Sequence, residues 1–267
     1  MESHDKLSQA RMLKALQSRP ERLDLAALAI ASIEQPDLEP VRYEKILDRY
    51  AARVGGDIDR LCQVLAKQEG FRGNTNDYHG PQNSCLNVVL DTRVGLPITL
   101  SVVYLEVARR AGIALYGVSF PGHFLVACDF ADHKLVIDPF HSGQTLNETG
   151  CAELLRRTAP GVRFSTGLIA PASPQAIIQR MLTNLKGSYL RKGDGGGALK
   201  VIDHLLALSP DNPGELRARA AIFSALGAYR AALTDVERCL ELSPAGPDHD
   251  SLVLTARALR DRAKYMN

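Results

Sequence analysis

Four short segments of this chain carry residues able to do chemistry: Asn83-Ser84-Cys85-Leu86-Asn87, Gly95-Leu96-Pro97-Ile98-Thr99, Pro121-Gly122-His123-Phe124 and Val136-Ile137-Asp138-Pro139-Phe140. A histidine entering one strand and an aspartate ending the next, about fifteen residues later, can stand side by side. A carboxylate so placed orients an imidazole as a base, as in the thiol hydrolases. Each residue alone also fits a structural role as a hydrogen-bonded group. Cys85 lies about ten residues before the Gly95 helix start, close enough in sequence for its thiol to face the same cleft. Cys85, His123 and Asp138 thus make one candidate set of nucleophile, base and orienter, which would serve a cysteine-dependent amide hydrolase or acyltransferase. A buried structural role for Cys85 is the competing reading. Thr99 and Ser101 are weaker nucleophiles, because a hydroxyl needs more activation than a thiol.

The amides of Asn83 and Asn87 suit bonds to loop backbone or a helix cap, and Asn83 also suits the lining of the cleft. His79, His123 and His141 can be set around an ion with Asp77 or Asp138, but their spacing matches no strong ligand motif. Neither a metal nor another cofactor is expected. Cys62, Cys128 and Cys239 occupy apolar-periodic positions and read as core.

The elements that position these groups follow from periodicity. Leu23, Ala26, Ala27, Ile30 and Ile33 recur at a helical spacing that stops before Pro36. Pro40 opens a second helix, with Tyr43, Ile46, Leu47 and Tyr50 inward, and Gly55-Gly56 ends it. A third helix is expected over Asp57 to Glu69, with Ile58, Leu61, Cys62 and Leu65 inward. Gly70 to Asn83 is rich in turn formers and reads as a long loop, which in a compact domain is more often functional than idle. A short helix (Leu86 to Arg93) and a longer one (Pro97 to Ala111) follow. The period then shortens, and Ala114 to Phe120, Phe124 to Asp129 and Lys134 to Ile137 read as strands, the last two joined by an Ala131-Asp132-His133 turn. Helices followed by a small antiparallel sheet indicate an α+β domain. Residues 1–20 read as a helical tail, and residues 159–174, with Pro160-Gly161, Gly167, Pro171 and Pro174, as a linker.

Beyond the linker the chain repeats itself at an offset of 34 residues. Gly193 falls on Gly227, Ala198 on Ala232, Leu199 on Leu233, Leu206 on Leu240, and Leu208-Ser209-Pro210 on Leu242-Ser243-Pro244. Small residues let two helices pack closely, and proline closes the unit, so residues 175–267 read as two helix-turn-helix repeats of the tetratricopeptide type. The first has Gly195 where the second has Tyr229. Two such units fall short of the three or so that stand alone, so they are expected to pack on Ser251 to Lys264 as a capping helix, on the preceding domain or on another chain. Repeats of this kind offer a surface for a protein or peptide partner.

The formal net charge is +2, from 32 basic and 30 acidic residues, without a dense basic stripe. Binding to nucleic acid or to an anionic membrane gains no support from it. Five scattered cysteines without a CxxC pair fit a reducing compartment, and Met1 to Pro20 lacks the apolar run of a signal peptide. A cytoplasmic protein is expected.

The run from about Leu23 to Phe140 resembles the SirB-type (invasion-regulator) bacterial proteins, a branch of the transglutaminase-like superfamily that ends in tetratricopeptide repeats. The resemblance is carried by Asn83 to Leu90, Gly95 to Gly112 (GLPITLSVVYLEVARRAG) and Pro121 to Leu125 (PGHFL), in that order and followed by repeats. It implies a transglutaminase-like (papain-like) α+β domain over residues 1–158, a linker over 159–174 and the repeats over 175–267. Active members of the superfamily carry a cysteine at the start of the long helix, a histidine on one strand and an aspartate on the next. Anchoring on Gly95 and on Arg109-Arg110-Ala111-Gly112-Ile113 puts Pro97 at the nucleophile position, with His123 and Asp138 at the other two. The resemblance therefore implies a kept fold and a degenerate site, in a binding or regulatory protein and not an enzyme. Proline suits the first turn of a helix, and the backbone N–H groups there can hold an anion or a carbonyl oxygen without reacting.

Overall fold

In the computed structural model, which describes residues 2–131 and 133–264, the chain divides into two compact units, Met1–Asn184 and Leu185–Asn267. Asp132, the middle of the expected turn, lies outside the described residues.

The first unit begins with α1 (Glu2–Gln17) packed on α2 (Leu23–Ala31). Every residue of α2 but Leu25 is buried, so this short helix is core on nearly all sides. The Ser8 hydroxyl donates to the Ala29 carbonyl at 2.6 Å and fastens α1 to it. Pro40 starts α3 (Pro40–Val54), and Gly55, in the left-handed region, ends it as the sequence predicts.

The third helix departs from expectation. One turn, α4 (Ile58–Cys62), is capped by the Asp57 carboxylate, and the backbone then widens into a π-helical segment, Gln63–Gln68. The wider turn brings Val64 inward beside Leu61 and Leu65 and leaves Ile58 and Cys62 half-buried.

Within the expected loop, β1 (Arg72–Gly73) pairs in parallel with β2 (Val94–Gly95), and Pro81–Ser84 forms a 3-10 turn. Between these lies α5 (Leu86–Thr92), and α6 (Pro97–Arg110) follows. Residues 97 to 108 of α6 are all buried, which makes it the central helix of the unit. Its end is held by ions. Arg110 bonds Asp24 at 2.5 Å, Asp48 at 2.8 Å and Glu106, while Glu106 also accepts the Leu23 N–H at 3.1 Å. Burial works against charge on both carboxylates. The arginines Arg22 and Arg110 nevertheless hold Asp24 below its ordinary value, whereas burial and the charge of Asp24 keep Glu106 above its own.

Four antiparallel strands follow in the order β3 (Tyr116–Val118), β4 (Leu125–Asp129), β5 (Lys134–Asp138) and β6 (Gln144–Leu146). One face, with Leu125, Ala127 and Val136, packs on Cys151, Leu154 and Leu155 of α7 (Glu148–Thr158). Helix α6 packs against β3 and β4. The segment 159–174 runs along the sheet: Val118 bridges Pro171, Ala172 N donates to the Gly117 carbonyl at 2.8 Å, and Ile169 joins the core. The division between the units falls within α8 (Pro174–Arg191).

In the second unit α9 (Gly195–Leu208), α10 (Pro213–Ala225), α11 (Tyr229–Leu242) and α12 (His249–Lys264) succeed one another. Ala198 and Ala232, aligned by the repeat, are both fully buried. Ala256 and Leu259 of α12 close over Ala220, Ala232 and Val236, the capping role expected of this helix. An α+β unit followed by an all-helical one is the fold class that the sequence indicates. No helix among the described residues is long and apolar enough to cross a membrane.

Candidate functional site

Antiparallel pairing brings the histidine and the aspartate together. Val126 faces Ile137, so the residues before β4 lie beside the end of β5. The Pro121-Gly122 turn delivers His123 to that point. Gly122 has φ of +68°, and a Cβ there would stand 2.3 Å from the Thr158 carbonyl oxygen, so only glycine fits. The Thr158 hydroxyl donates to the Pro121 carbonyl at 2.8 Å and ties the turn to α7.

His123 Nε2 lies 3.0 Å from both oxygens of Asp138. Asp138 Oδ1 also accepts the N–H groups of Phe140 at 3.0 Å and His141 at 3.3 Å, and His141 Nδ1 lies 2.7 Å from Oδ2. Burial raises the cost of charge on Asp138, yet the bonds and charges of His123 and His141 outweigh it and hold the carboxyl below its ordinary range. It is therefore an ionised acceptor. His123 and Asp138 are 5% and 1% exposed, whereas 43% of the His141 side chain faces solvent. The two imidazoles stack with centroids 5.8 Å apart and planes 29° from parallel.

His141 is thus a full partner of the pair. Its sequence signal is the Asp138-Pro139-Phe140-His141 spacing, which returns the ring to the carboxylate across one turn. One ligand atom from each of His123, Asp138 and His141 can be chosen so that all lie within 4.8 Å of one another, and this is the group of described residues able to hold a metal ion. Asp77 and His79 are not in it. Asp77 accepts from Gln82 at 2.7 Å, and His79 sits edge-on to Tyr78.

Asn83 clasps the loop. Its amide donates to the carbonyls of Asp77 at 2.5 Å and Tyr78 at 3.2 Å, its side-chain oxygen accepts from Asn74 at 2.9 Å, and its carbonyl takes the Leu96 N–H at 3.5 Å. Asn87 turns elsewhere and donates to Gln35 at 2.6 Å. Pro97 is the first residue of α6 and is buried; its carbonyl accepts the Ser101 hydroxyl at 2.8 Å. Thr99 is fully buried, and its hydroxyl has no partner among the described residues. Backbone bonds connect this helix start to the histidine cluster: Asn74 N donates to Gly95 O at 3.0 Å and Gly73 N to Phe140 O at 2.8 Å.

Cys85 is buried just before α5, with Sγ 3.7 Å from the Pro81 carbonyl oxygen. Burial, and then the charge of Glu34, push its thiol up to about 12. No hydrogen bond joins it to His123 among the described residues, and the rings against His123 are Phe140 and His141. Burial likewise pushes Cys62 and Cys151 up to about 11.

The family profile of the transglutaminase-like superfamily matches residues 25–183, and that of the tetratricopeptide repeat matches 185–263. A UPF0162 protein of Xylella fastidiosa is 36% identical over 233 residues, 82% of this chain and 83% of the relative. A UPF0162 protein of Pseudomonas aeruginosa is 32% identical over 241 residues, 86% and 88% of the two chains. F-box only protein 21 of Mus musculus is 32% identical over 184 residues, which are 64% of this chain and 28% of that one. No solved structure matches the chain.

Proposed function

Given that the chain belongs to the transglutaminase-like superfamily, among its UPF0162 proteins, we propose that it is a binding or regulatory protein whose transglutaminase-like site lacks a nucleophile. The observation that carries this reading is Pro97. It occupies the first turn of α6, where the superfamily resemblance puts the thiol, while the His123–Asp138 pair stands complete at 3.0 Å. Proline supplies neither nucleophile nor N–H. The helix start still offers backbone donors that suit a carbonyl or an anion, and the Asn83 clasp shapes its approach. The site keeps what recognition needs and lacks what attack needs.

The thiol-enzyme alternative would need Cys85 to supply a thiolate to His123. A buried thiol pushed up to about 12, with Pro81 and Glu34 as its neighbours, is a poor source of one. The repeats, over 175–267, serve in this reading to dock a protein or peptide partner in the cytoplasm, and the resemblance of the motifs to the SirB-type proteins supports a regulatory role. The first unit carries the cleft, and residues 159–174, which the sequence reads as a linker, belong to its sheet layer.

The test is turnover. The purified full chain should neither hydrolyse glutamine-containing peptides nor transfer their acyl groups faster than a His123→Ala variant. Robust turnover that this variant loses would overturn the reading. Deleting the chain from Leu185 onward, where the second unit begins, should abolish capture of the cellular partner; capture by the remaining part would move the docking role to the first unit.

A further inference from the structure

The geometry points to a divalent-metal site in this cleft, with His123, Asp138 and His141 as ligands and a zinc-like ion as occupant. The inference rests on the reading of the cleft as a place of binding. An orienting dyad needs one imidazole and one carboxylate, and His141 is surplus to it. Its Nδ1 nevertheless lies 2.7 Å from Asp138 Oδ2, and its ring stacks on His123.

The three groups converge as ligands do. Donors bound to one ion at about 2.0–2.1 Å in a tetrahedral site stand about 3.3 Å apart. The spacings of 2.7 Å and 3.0 Å around Asp138 need to open by roughly 0.3–0.6 Å, and all three donors already lie within 4.8 Å of one another. His123 Nε2 is equidistant from both carboxylate oxygens, where a single hydrogen bond would favour one. Two imidazole nitrogens and one carboxylate select zinc, cobalt or iron(II) over magnesium or calcium, which prefer oxygen donors.

Each ligand is placed from a different direction. The Gly122 turn sets His123, the N–H groups of Phe140 and His141 hold Asp138, and stacking holds His141. The exposed side of His141 gives the ion a way in.

A second observation lies beneath the turn. The Tyr104 hydroxyl is buried without a partner among the described residues. It abuts Gly143, where a Cβ would stand 2.9 Å from it, and Gly143 N donates to the Asp138 carbonyl at 2.9 Å. An orphaned polar atom against the turn that follows Asp138 suits a bound water, such as an ion would carry. Three protein ligands leave such a coordination place open.

Calorimetric titration of the reduced, chelator-stripped full chain with zinc sulfate tests this. One zinc should bind per chain, magnesium should not compete, and His141→Ala should weaken binding about tenfold or more, at least the loss that outer partners of a metal cause. Because His141 is partly exposed, that variant should keep the circular dichroism of the parent. Cobalt(II) bound to the parent should show no thiolate charge-transfer band, and His141→Cys should add one while keeping the ion. Absence of zinc binding, equal binding by His141→Ala, or a thiolate band in the parent would overturn the inference. A parent without zinc binding leaves the binding reading standing, since only turnover dependent on His123 removes it.

Discussion

Gly73 and Phe140 meet so closely that a Cβ on the glycine would lie 2.4 Å from the phenylalanine ring, while Gly73 N donates to the Phe140 carbonyl at 2.8 Å. The two-residue strand β1 thereby locates the turn that carries Asp138 and His141. A methyl group at position 73 has to push the Phe140 ring aside. Gly73→Ala should cost about 1–3 kcal/mol, the usual range for overpacking a filled core. A urea midpoint equal to that of the parent would show that Phe140 yields freely and that the contact is not structural.

Cys85 should resist alkylation in the native protein. Burial pushes its thiol up to about 12, which disfavours the thiolate at pH 8, and the atom is shielded from the reagent besides. Iodoacetamide should modify it only as the chain unfolds, with a rate that follows denaturant. Rapid labelling of Cys85 at neutral pH, read by mass spectrometry of the peptide, would revive the thiol-enzyme reading.

Arg110 neutralises two buried carboxylates at once, Asp24 and Glu106. Arg110→Met should therefore destabilise by about 1–3 kcal/mol at pH 7, because it leaves Asp24 with Arg22 alone and Glu106 with Arg109 alone. In the parent, Asp24 is held below its ordinary value of 3.8, so its contribution is present above that pH and is lost as pH falls through the folded value. Glu106 is raised above 4.5, so its effect has the opposite sign: it is fully favourable below 4.5 and declines as pH rises through the folded value. In the variant both carboxylates gain by protonation, and the deficit should shrink toward pH 4. Denaturation curves at the two pH values would reveal it; a deficit independent of pH would mean that the guanidinium acts by packing alone.

Tyr104→Phe should leave the stability of the metal-free chain within about 0.5 kcal/mol or raise it, since removing a hydroxyl without a partner forfeits no bond. A loss of more than about 1 kcal/mol by thermal or chemical unfolding would mean that an ordered water pairs with it.

The helices α2, α3 and α6 and three of the four main strands are legible from apolar spacing, because each buries a continuous face. Strand β6 is not: Gln144, Thr145 and Leu146 are all at least partly exposed, so no alternation marks it. Nor is the widened turn after Cys62, since one extra residue per turn shifts the inward positions by a single place and leaves composition unchanged. The His123–Asp138 pair is legible because strand ends meet by register. His141 depends on the path of a turn, and the surroundings of Cys85 on which way a short helix faces. Nearness in sequence decides neither.

The Asp138 carboxylate also governs what its two neighbours show to the outside. With no ion between them, the ionised carboxylate accepts a hydrogen bond from each nitrogen that faces it, His123 Nε2 and His141 Nδ1, and so places a proton on both. A ring that carries only that proton turns a bare lone pair outward. An asparagine at 138 with its amino group toward the rings would reverse both tautomers and present two N–H groups instead. One atom therefore sets the hydrogen-bond polarity of both rings: the first arrangement receives a donor, and the second would receive an acceptor.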